Sequence, residues 1–591
     1  MRRGARSIAG IVLLLAVSSV SAQQAAPKWG PHVDVEAKPG TKRSIGEADF
    51  FLPLMQDGRT LFFGNARLRI ADHDNKEGNF GLGVRRMLEG GWNIGGYGYF
   101  DRRRTSTGNK FNQATFGVEA LGRDWDFRGN AYLPQGDRVR ELSTTTVGGG
   151  TPTASIVGTT VQVTTPGSTT FTAEERALKG YDLEAGWRLP VWAAEADKQL
   201  RLYAGAYHFS DSGIRVSGPR VRAELAMYDL PALWQGAQLM LGAEYQDDNA
   251  RGGQGFVSVR LRVPLGGGNE TGRKMNFQER RMAAPVVRDV DVVTQERSVV
   301  TASTPTTVET ATATAGGQAV TVLDSGTTTG AALPGAVAAA GPNSTVVLTG
   351  TYNTTTTTLL QNGQTLMGAG ALQVRTPSGH VATLTTPGAT INGNIPSAQF
   401  GKAFTVDMAP NSTLRGMTVT HFNTSGHGAT AVRASGASNV QIVGNTISAS
   451  SSGPPAPLAA EGILILAGST NVLVSNNIIS ATGTTVQNLA GINASPGGFS
   501  TVTLSGNTVT VSGSGIANAG IGTAGGVPGG TIATIAGNTV SATGGGTNRA
   551  FSIVTTAVTA GSSGNVRAAG TCNFFAGTSG SIGFTDGTTC P

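Results

Sequence analysis

Between about residue 45 and residue 265, short runs place apolar or aromatic side chains on one parity and polar, small or charged side chains on the other. In FVSVRLRVPL, Val257, Val259, Leu261 and Val263 share one face of a strand and Ser258, Arg260 and Arg262 share the other. QATFGVEALG repeats the split, with Ala114, Phe116, Val118 and Ala120 opposing Thr115, Gly117 and Glu119. QLMLGAEYQ sets Leu239, Leu241 and Ala243 against Gly242 and Glu244. These strands suit a transmembrane barrel with a wet lumen, into which Glu119 and Glu244 would point; a soluble β-sandwich has the same alternation. The set Trp92, Tyr97, Tyr99 and Phe100 reads as an interfacial aromatic girdle.

Beyond residue 400 the pattern changes to a repeat. STLRGMTVT (412–420), VQIVGNTIS (440–448), VLVSNNIIS (472–480), VTLSGNTVT (502–510) and ATIAGNTVS (533–541) align without gaps, with steps of 28, 32, 30 and 31 residues between matching positions. A second apolar element keeps phase with the first: GATAVRAS, EGILILAG, AGINASPG, AGIGTAGG and RAFSIVTT. Two strand-like elements per repeat predict a stacked β-solenoid, in which each coil buries its Val, Ile and Leu only against its neighbours. Asn445, Asn477, Asn507 and Asn538 would then stack as a structural ladder of side-chain amides, with Met417 standing in their place in the earliest coil. The N-x-[IV] repeats resemble those of pectin-lyase-like right-handed parallel β-helices, and the handedness rests on that resemblance.

Charge divides the chain at the same place. From 301 onward the acidic residues are Glu309, Asp324, Asp407, Glu461 and Asp586, and the basic ones Arg375, Lys402, Arg415, Arg433, Arg549 and Arg567. Of the net +7 of the whole chain, +6 therefore lies in residues 1–300, three of those positive charges in the leader, which gives no reason to expect nucleic acid as a partner. That leader has Arg2, Arg3 and Arg6, an apolar run from Ile8 to Val17, and Val20-Ser21-Ala22. It reads as a signal peptide (1–22) cleaved between Ala22 and Gln23. In an exported chain the two cysteines, Cys572 and Cys590, are expected to form a disulfide closing a loop of about 17 residues, worth roughly 3 kcal/mol in the chain-entropy model.

Several stretches resemble, in order, the β-domain of the intimin/invasin inverse autotransporters: FGLGVRRM (80–87), GYGYFD (96–101), FGVEALGRDWDFRGNAYLP (116–134), GYDLEAGWRLP (180–190), LYAGAYHF (202–209), GPRVRAEL (218–225), LGAEYQDDN (241–249) and VRLRVPLG (259–266). FQERRMAAPVVRDVDVV (277–293) resembles the segment that closes the barrel region in that family. The resemblance implies a 12-stranded antiparallel barrel in the outer membrane, whose C-terminal continuation returns through the pore and displays a passenger at the cell surface. It would divide the chain into a short periplasmic segment (23–44), the barrel (45–266), a pore-threading linker (267–300), a Thr/Ala/Gly-rich flexible spacer (301–335) and the β-helix passenger (336–591). Arg280, Arg281 and Arg288 of the linker would sit near lumen carboxylates such as Glu119 or Glu244. No LysM-type module fits before the first strand, and the Thr-, Gly- and Ser-rich stretch 141–173 reads as a long extracellular loop.

An all-β protein of this kind, by the same resemblance, is expected to be an adhesin rather than an enzyme. Its expected partners are outer-membrane lipid, the barrel assembly machinery with periplasmic chaperones, and a host receptor, matrix protein or glycan, with no cofactor and no metal. A surface spacer without a receptor and a polysaccharide-active β-helix are the alternatives. Carboxylate chemistry would need clustered acids, yet Asp407 and Glu461 differ in phase on different coils, and His421 and His427 read as surface histidines.

Overall fold

The computed structural model describes residues 28–590 apart from 73, 231–235, 266–274, 289–290, 397–401, 424–427, 453–458, 485–487, 495–499 and 525–529. The expected signal peptide with its Ala22/Gln23 cleavage site lies outside the described residues, as does His427. The chain forms two compact units, Met1–Thr146 with Thr170–Ala302, and Val147–Thr169 with Ser303–Pro591.

In the first unit the strands run β1 (His32–Lys38), β2 (Ile45–Gln56), β3 (Thr60–Ala71), β4 (Lys76–Met87), β5 (Asn93–Arg104), β6 (Lys110–Leu121) and β7 (Trp125–Gln135). The long connection that follows contains β8 (Val139–Gly148), β9 (Thr153–Val157), β10 (Thr160–Thr165) and β11 (Ser168–Ala177). Then come β12 (Lys179–Leu189), β13 (Lys198–Asp211), β14 (Ile214–Tyr228), β15 (Gln238–Gln246) and β16 (Gln254–Pro264). β1–β7 and β12–β16 close into an antiparallel barrel of twelve strands, with β1 completing the ring against β16. The barrel thus begins at His32, a strand earlier than expected. Asp34 and Glu36 on β1 face Arg262 and Arg260 in register on β16, so pairing of charges supports the closure.

Alternation sorts the two faces as the sequence predicts. Val257 and Val259 are 60% and 50% exposed on the outer wall, and Arg262, of opposite parity, is buried in the lumen. The aromatic girdle differs in part from the one expected. Tyr97 and Tyr99 share the parity of Asp101 and are buried inside, whereas Phe100 faces out. The outward aromatic group is Trp125 with Phe127 and Trp187, ring centroids 6.4 Å apart for Trp125–Phe127 and for Trp125–Trp187, and the expected Trp92 stacks on Phe127 at 6.3 Å.

After the barrel come α1 (Phe277–Met282), β17 (Thr294–Thr304), β18 (Thr307–Ala311), β19 (Ala313–Thr314), β20 (Ala319–Asp324) and α2 (Leu333–Ala339). The stretch 301–335, expected as a flexible spacer, is therefore largely regular structure. Its threonines favour strands, and Val322, Leu323 and Leu333 find buried positions.

From β20 onward the second unit is chiefly a parallel β-solenoid with three strands per coil, forming three sheets along its length, with an antiparallel hairpin of Gly370–Arg375 and Val381–Thr386 in its early part. What reads in the sequence as one strand per repeat is two, on different sheets: VQIVGNTIS supplies Gln441–Val443 and Thr446–Ser451. The corner between them is left-handed, with φ near 65° at Gly444, Gly506 and Gly537 and 55° at Asn476, and this is why Gly or Asn precedes the ladder residue. The ladder then hangs inside the corner. Asn445, Asn477 and Asn507 each donate their side-chain amide to the Oδ1 of the next asparagine at 2.9–3.0 Å. Asn538 continues to Asn565 at 3.1 Å, a rung the repeat pattern does not show because Arg567 stands where the other coils have Ile or Val two residues after the asparagine. Below the ladder, the backbone N–H of Met417 donates to Asn445 Oδ1. The C-terminal segment folds over the last coil, where Ile582, Phe584 and Cys590 join the core and Cys572 bonds to Cys590.

Candidate functional site

The barrel lumen concentrates the charged side chains of the chain, and the chemistry there begins with cross-strand pairs. Arg67 on β3 meets Asp49 at 2.9 Å and Glu47 at 3.2 Å on β2, and Arg69 also bonds Glu47. Arg262 meets Asp34 at 2.7 Å, and Glu184 on β12 receives both Arg128 (3.0 Å) and Arg222 (2.8 Å). Buried ions are tolerated only when paired and hydrogen-bonded, and this pairing makes a polar lumen compatible with a folded wall.

Through this lumen runs the segment after the barrel. α1 starts at a capping box in which Asn276 Oδ1 accepts from the Glu279 N–H and Glu279 Oε2 accepts from the Asn276 N–H, both at 2.9 Å. The helix sits at the barrel end that holds both of its termini: Trp29 Nε1 donates to Glu279 O at 2.9 Å, and Gln278 donates to the carbonyls of Leu88 and Trp92. Met282 packs with Trp29, Phe63, Tyr97 and Tyr99. Residues 283–288 and 291–293 that follow belong to no helix or strand, and several of their carbonyls are met by donors from the wall. Arg85 binds those of Met282 (2.8 Å) and Ala284 (2.6 Å), Arg67 that of Val286 (2.9 Å), and Arg103 that of Val292 (2.6 Å). At the opposite end, Leu178 N–H donates to Val293 O at 2.9 Å beside the long β7–β12 connection. A cavity of about 110 Å³ remains beside the threaded segment, bordered by Arg220, Arg222, Arg260 and Arg288.

The linker arginines are in the lumen, with partners other than those expected. Arg280 pairs with Asp197 at 2.9 Å, Arg281 with Asp126, and Arg288 with Asp101 at 3.0 Å. Glu119 is instead taken by Arg85 at 2.5 Å. The two lie on β6 and β4, and Gly95 stands between them on β5. A Cβ there would come within 2.8 Å of Glu119 Oε1 and 3.0 Å of Arg85 Cγ, so the glycine lets the pair bridge an intervening strand. Glu244 is taken by Lys38 at 2.6 Å. Asp101, Asp126 and Asp197 were absent from the sequence reading. For the first two the signal was present in GYGYFD and DWDF, whose parity carries the carboxylate inward with its neighbours.

In the solenoid, the acids and histidine weighed for catalysis are spread apart. Asp407 is held by Arg433, whose guanidinium also lies 3.8 Å from the Phe404 ring. Glu461 is buried and accepts from Thr430 Oγ1 (3.1 Å) and Asn493 Nδ2 (2.7 Å). His421 is not on the surface as expected: it is 1% exposed, 3.0 Å from Thr405 Oγ1 through Nδ1.

Residues 17–209 match the family described as "Inverse autotransporter, beta-domain". No curated protein matches the chain. Solved structures resemble it weakly. One, from a study of the in-meso crystallization of membrane proteins, is 13% identical over 45% of this chain and 100% of its own, with a TM-score of 0.32. The KdgM porin in complex with disordered oligogalacturonate is 7% identical over 40% and 99%, at 0.25. The outer membrane protein Omp33 of Acinetobacter baumannii is 9% identical over 40% and 98%, at 0.23. TM-scores this low carry no inference about function. The family match, the twelve-stranded closure and the threaded linker together identify the N-terminal unit as an inverse autotransporter β-domain of the outer membrane, carrying an exposed β-helix passenger.

Proposed function

We propose that the passenger is a non-enzymatic adhesive module, held at the surface to bind a host glycan, a matrix protein or another bacterium. The observation that carries this reading is a neutral, regular hydroxyl face. On one solenoid sheet, Ser448, Ser480, Thr510 and Ser541 lie in register from coil to coil, as do Ser450, Thr482, Ser512 and Thr543 two residues along. Neighbouring coils are about 4.8 Å apart, so the face repeats donors and acceptors at a spacing that suits an extended polar ligand. The carboxylates that a polysaccharide-cleaving site would use, Asp407 and Glu461, are engaged by Arg433 and by Thr430 and Asn493. Export of such a passenger calls on the barrel assembly machinery and periplasmic chaperones before the lumen is threaded.

The test compares cells displaying the full chain with cells displaying a chain ended after Thr304, on arrays of glycans and matrix proteins. Saturable binding that needs the passenger supports adhesion. Equal, non-saturable binding by both would leave a surface spacer as the better description, and release of unsaturated or reducing uronic-acid ends from a polysaccharide would point to an enzyme.

A further inference from the structure

The first coils of the solenoid are apolar on both faces. In Thr345–Leu348, Val346 and Leu348 enter the solenoid core, while Val347, of opposite parity, is also fully buried. Parallel register sets Val347 beside Val322 on β20 and Met367 on the next coil. This outward column ends at Met367, because its next in-register neighbour is Arg415. A strand buried on both faces needs a second layer over it.

That layer includes a piece of chain from elsewhere in the sequence. Residues 147–169, between barrel strands β7 and β12, belong to the second unit. There β9 and β10 form a hairpin, and β18 adds to the free edge of β10 in antiparallel register, Val161 opposite Ala311 and Val163 opposite Glu309. Val161 and Val163 are buried with Val322, Val347, Met367, Val374 and Leu384, and Ala154 and Ile156 pack against the same cluster. Val157, at the turn, is 51% exposed.

We propose that the β9–β10 hairpin is the template on which the passenger begins to fold. β18 is the first strand of the second unit to follow the linker in sequence, and it finds on β10 an edge of unpaired N–H and C=O groups beside two valines. Strand addition to such an edge supplies hydrogen bonds and a pocketed apolar surface at once. β20 and the first two coils then cover Val161 and Val163, and later coils propagate from a preformed layer, as stacked repeats do. The hairpin lies in the barrel half of the sequence, so it is made before any passenger residue. This role is independent of what the passenger binds.

The experiment uses the full chain in the outer membrane of living cells, with an epitope tag at the C-terminus. Three readouts are followed: barrel assembly by heat-dependent gel migration, tag exposure by antibody, and passenger resistance to added protease. Val161→Asp with Val163→Asp is expected to leave the barrel assembled while the passenger is cleaved about tenfold faster or more, since proteolysis tracks the open population. Val157→Asp is the control and should match the parent. A passenger that becomes resistant at the parent rate in the double variant would overturn the proposal. A second measurement decides the case even if that variant fails to assemble. Gln162→Cys with Thr310→Cys, which face each other in register, is expected to cross-link in pulse-labelled cells before protease resistance appears. Cross-linking only after resistance is complete, or none, would also overturn it.

Discussion

At the scale of single residues, the lumen and the solenoid bury polar groups for different reasons. Arg288 and Asp101 are 1% and 0% exposed by side chain, and the arginine belongs to the linker while the aspartate belongs to the wall. Arg288→Met should therefore strand a buried carboxylate and destabilise the barrel by about 3–5 kcal/mol. Its check is the temperature at which the purified protein in detergent loses its folded gel mobility, with Asp101→Asn added to the same chain recovering part of the loss. In the solenoid the informative group is His421, which burial pulls from 6.5 down to about 4. The folded protein keeps this imidazole neutral, whereas the unfolded chain takes up a proton below about 6.5. Its contribution is thus fully present above pH 6.5 and is lost as pH falls from there to about 4, by no more than roughly 3 kcal/mol. Urea unfolding of the full chain at a series of pH values should show this slope for the passenger transition, and His421→Asn should flatten it.

At the scale of elements, the ladder shows what a repeated residue contributes. Asn507 Oδ1 accepts from both the backbone N–H and the side-chain amide of Asn477, and its own amide donates to Val474 O and Asn538 Oδ1. Asn507→Ala leaves several buried groups without partners, and a loss of about 2–4 kcal/mol is expected from one unsatisfied group at roughly 1–3 kcal/mol and partial loss of others. A passenger whose urea midpoint is unmoved by this change would refute the ladder's structural role. The asparagines, the barrel alternation and the solenoid period were legible in the sequence because each repeats a local rule. The corner that splits each repeat into two strands was less so, since Gly-Asn looks like a mid-strand pause until its positive φ is seen. Least legible were the non-local elements. β1 is barrel wall because of its charge register with β16, and the 301–335 stretch is ordered because its few apolar residues are received by cores built from distant segments. The true partners of Arg280, Arg281 and Arg288 depend on which wall position lies at their depth in the lumen, a quantity that parity alone does not contain.

At the scale of the whole molecule, the threaded linker is tied to the barrel wall by contacts that lie within the first unit. Its carbonyls at Met282, Val286, Val287 and Val292 are held by Arg85, Arg67, Tyr97 and Arg103, and its arginine side chains by Asp197, Asp126 and Asp101. None of these contacts needs a residue beyond 302, so loss of the passenger should leave them in place. Exhaustive protease treatment of intact cells is then expected to yield a membrane-embedded fragment that retains the linker, with a C-terminus at or beyond Val293 by mass spectrometry. The fragment should keep its heat-dependent gel mobility, because the buried pairs between linker and wall outlast the cut. A C-terminus before Asn276 would mean that protease reaches into the lumen and that the linker is held there too weakly to act as a plug. The same digestion of the Arg288→Met chain separates local from collective holding: cleavage still confined beyond Val293 would show that the remaining wall donors suffice, and trimming back toward α1 would show that the Arg288 pair is the clasp on which the linker depends.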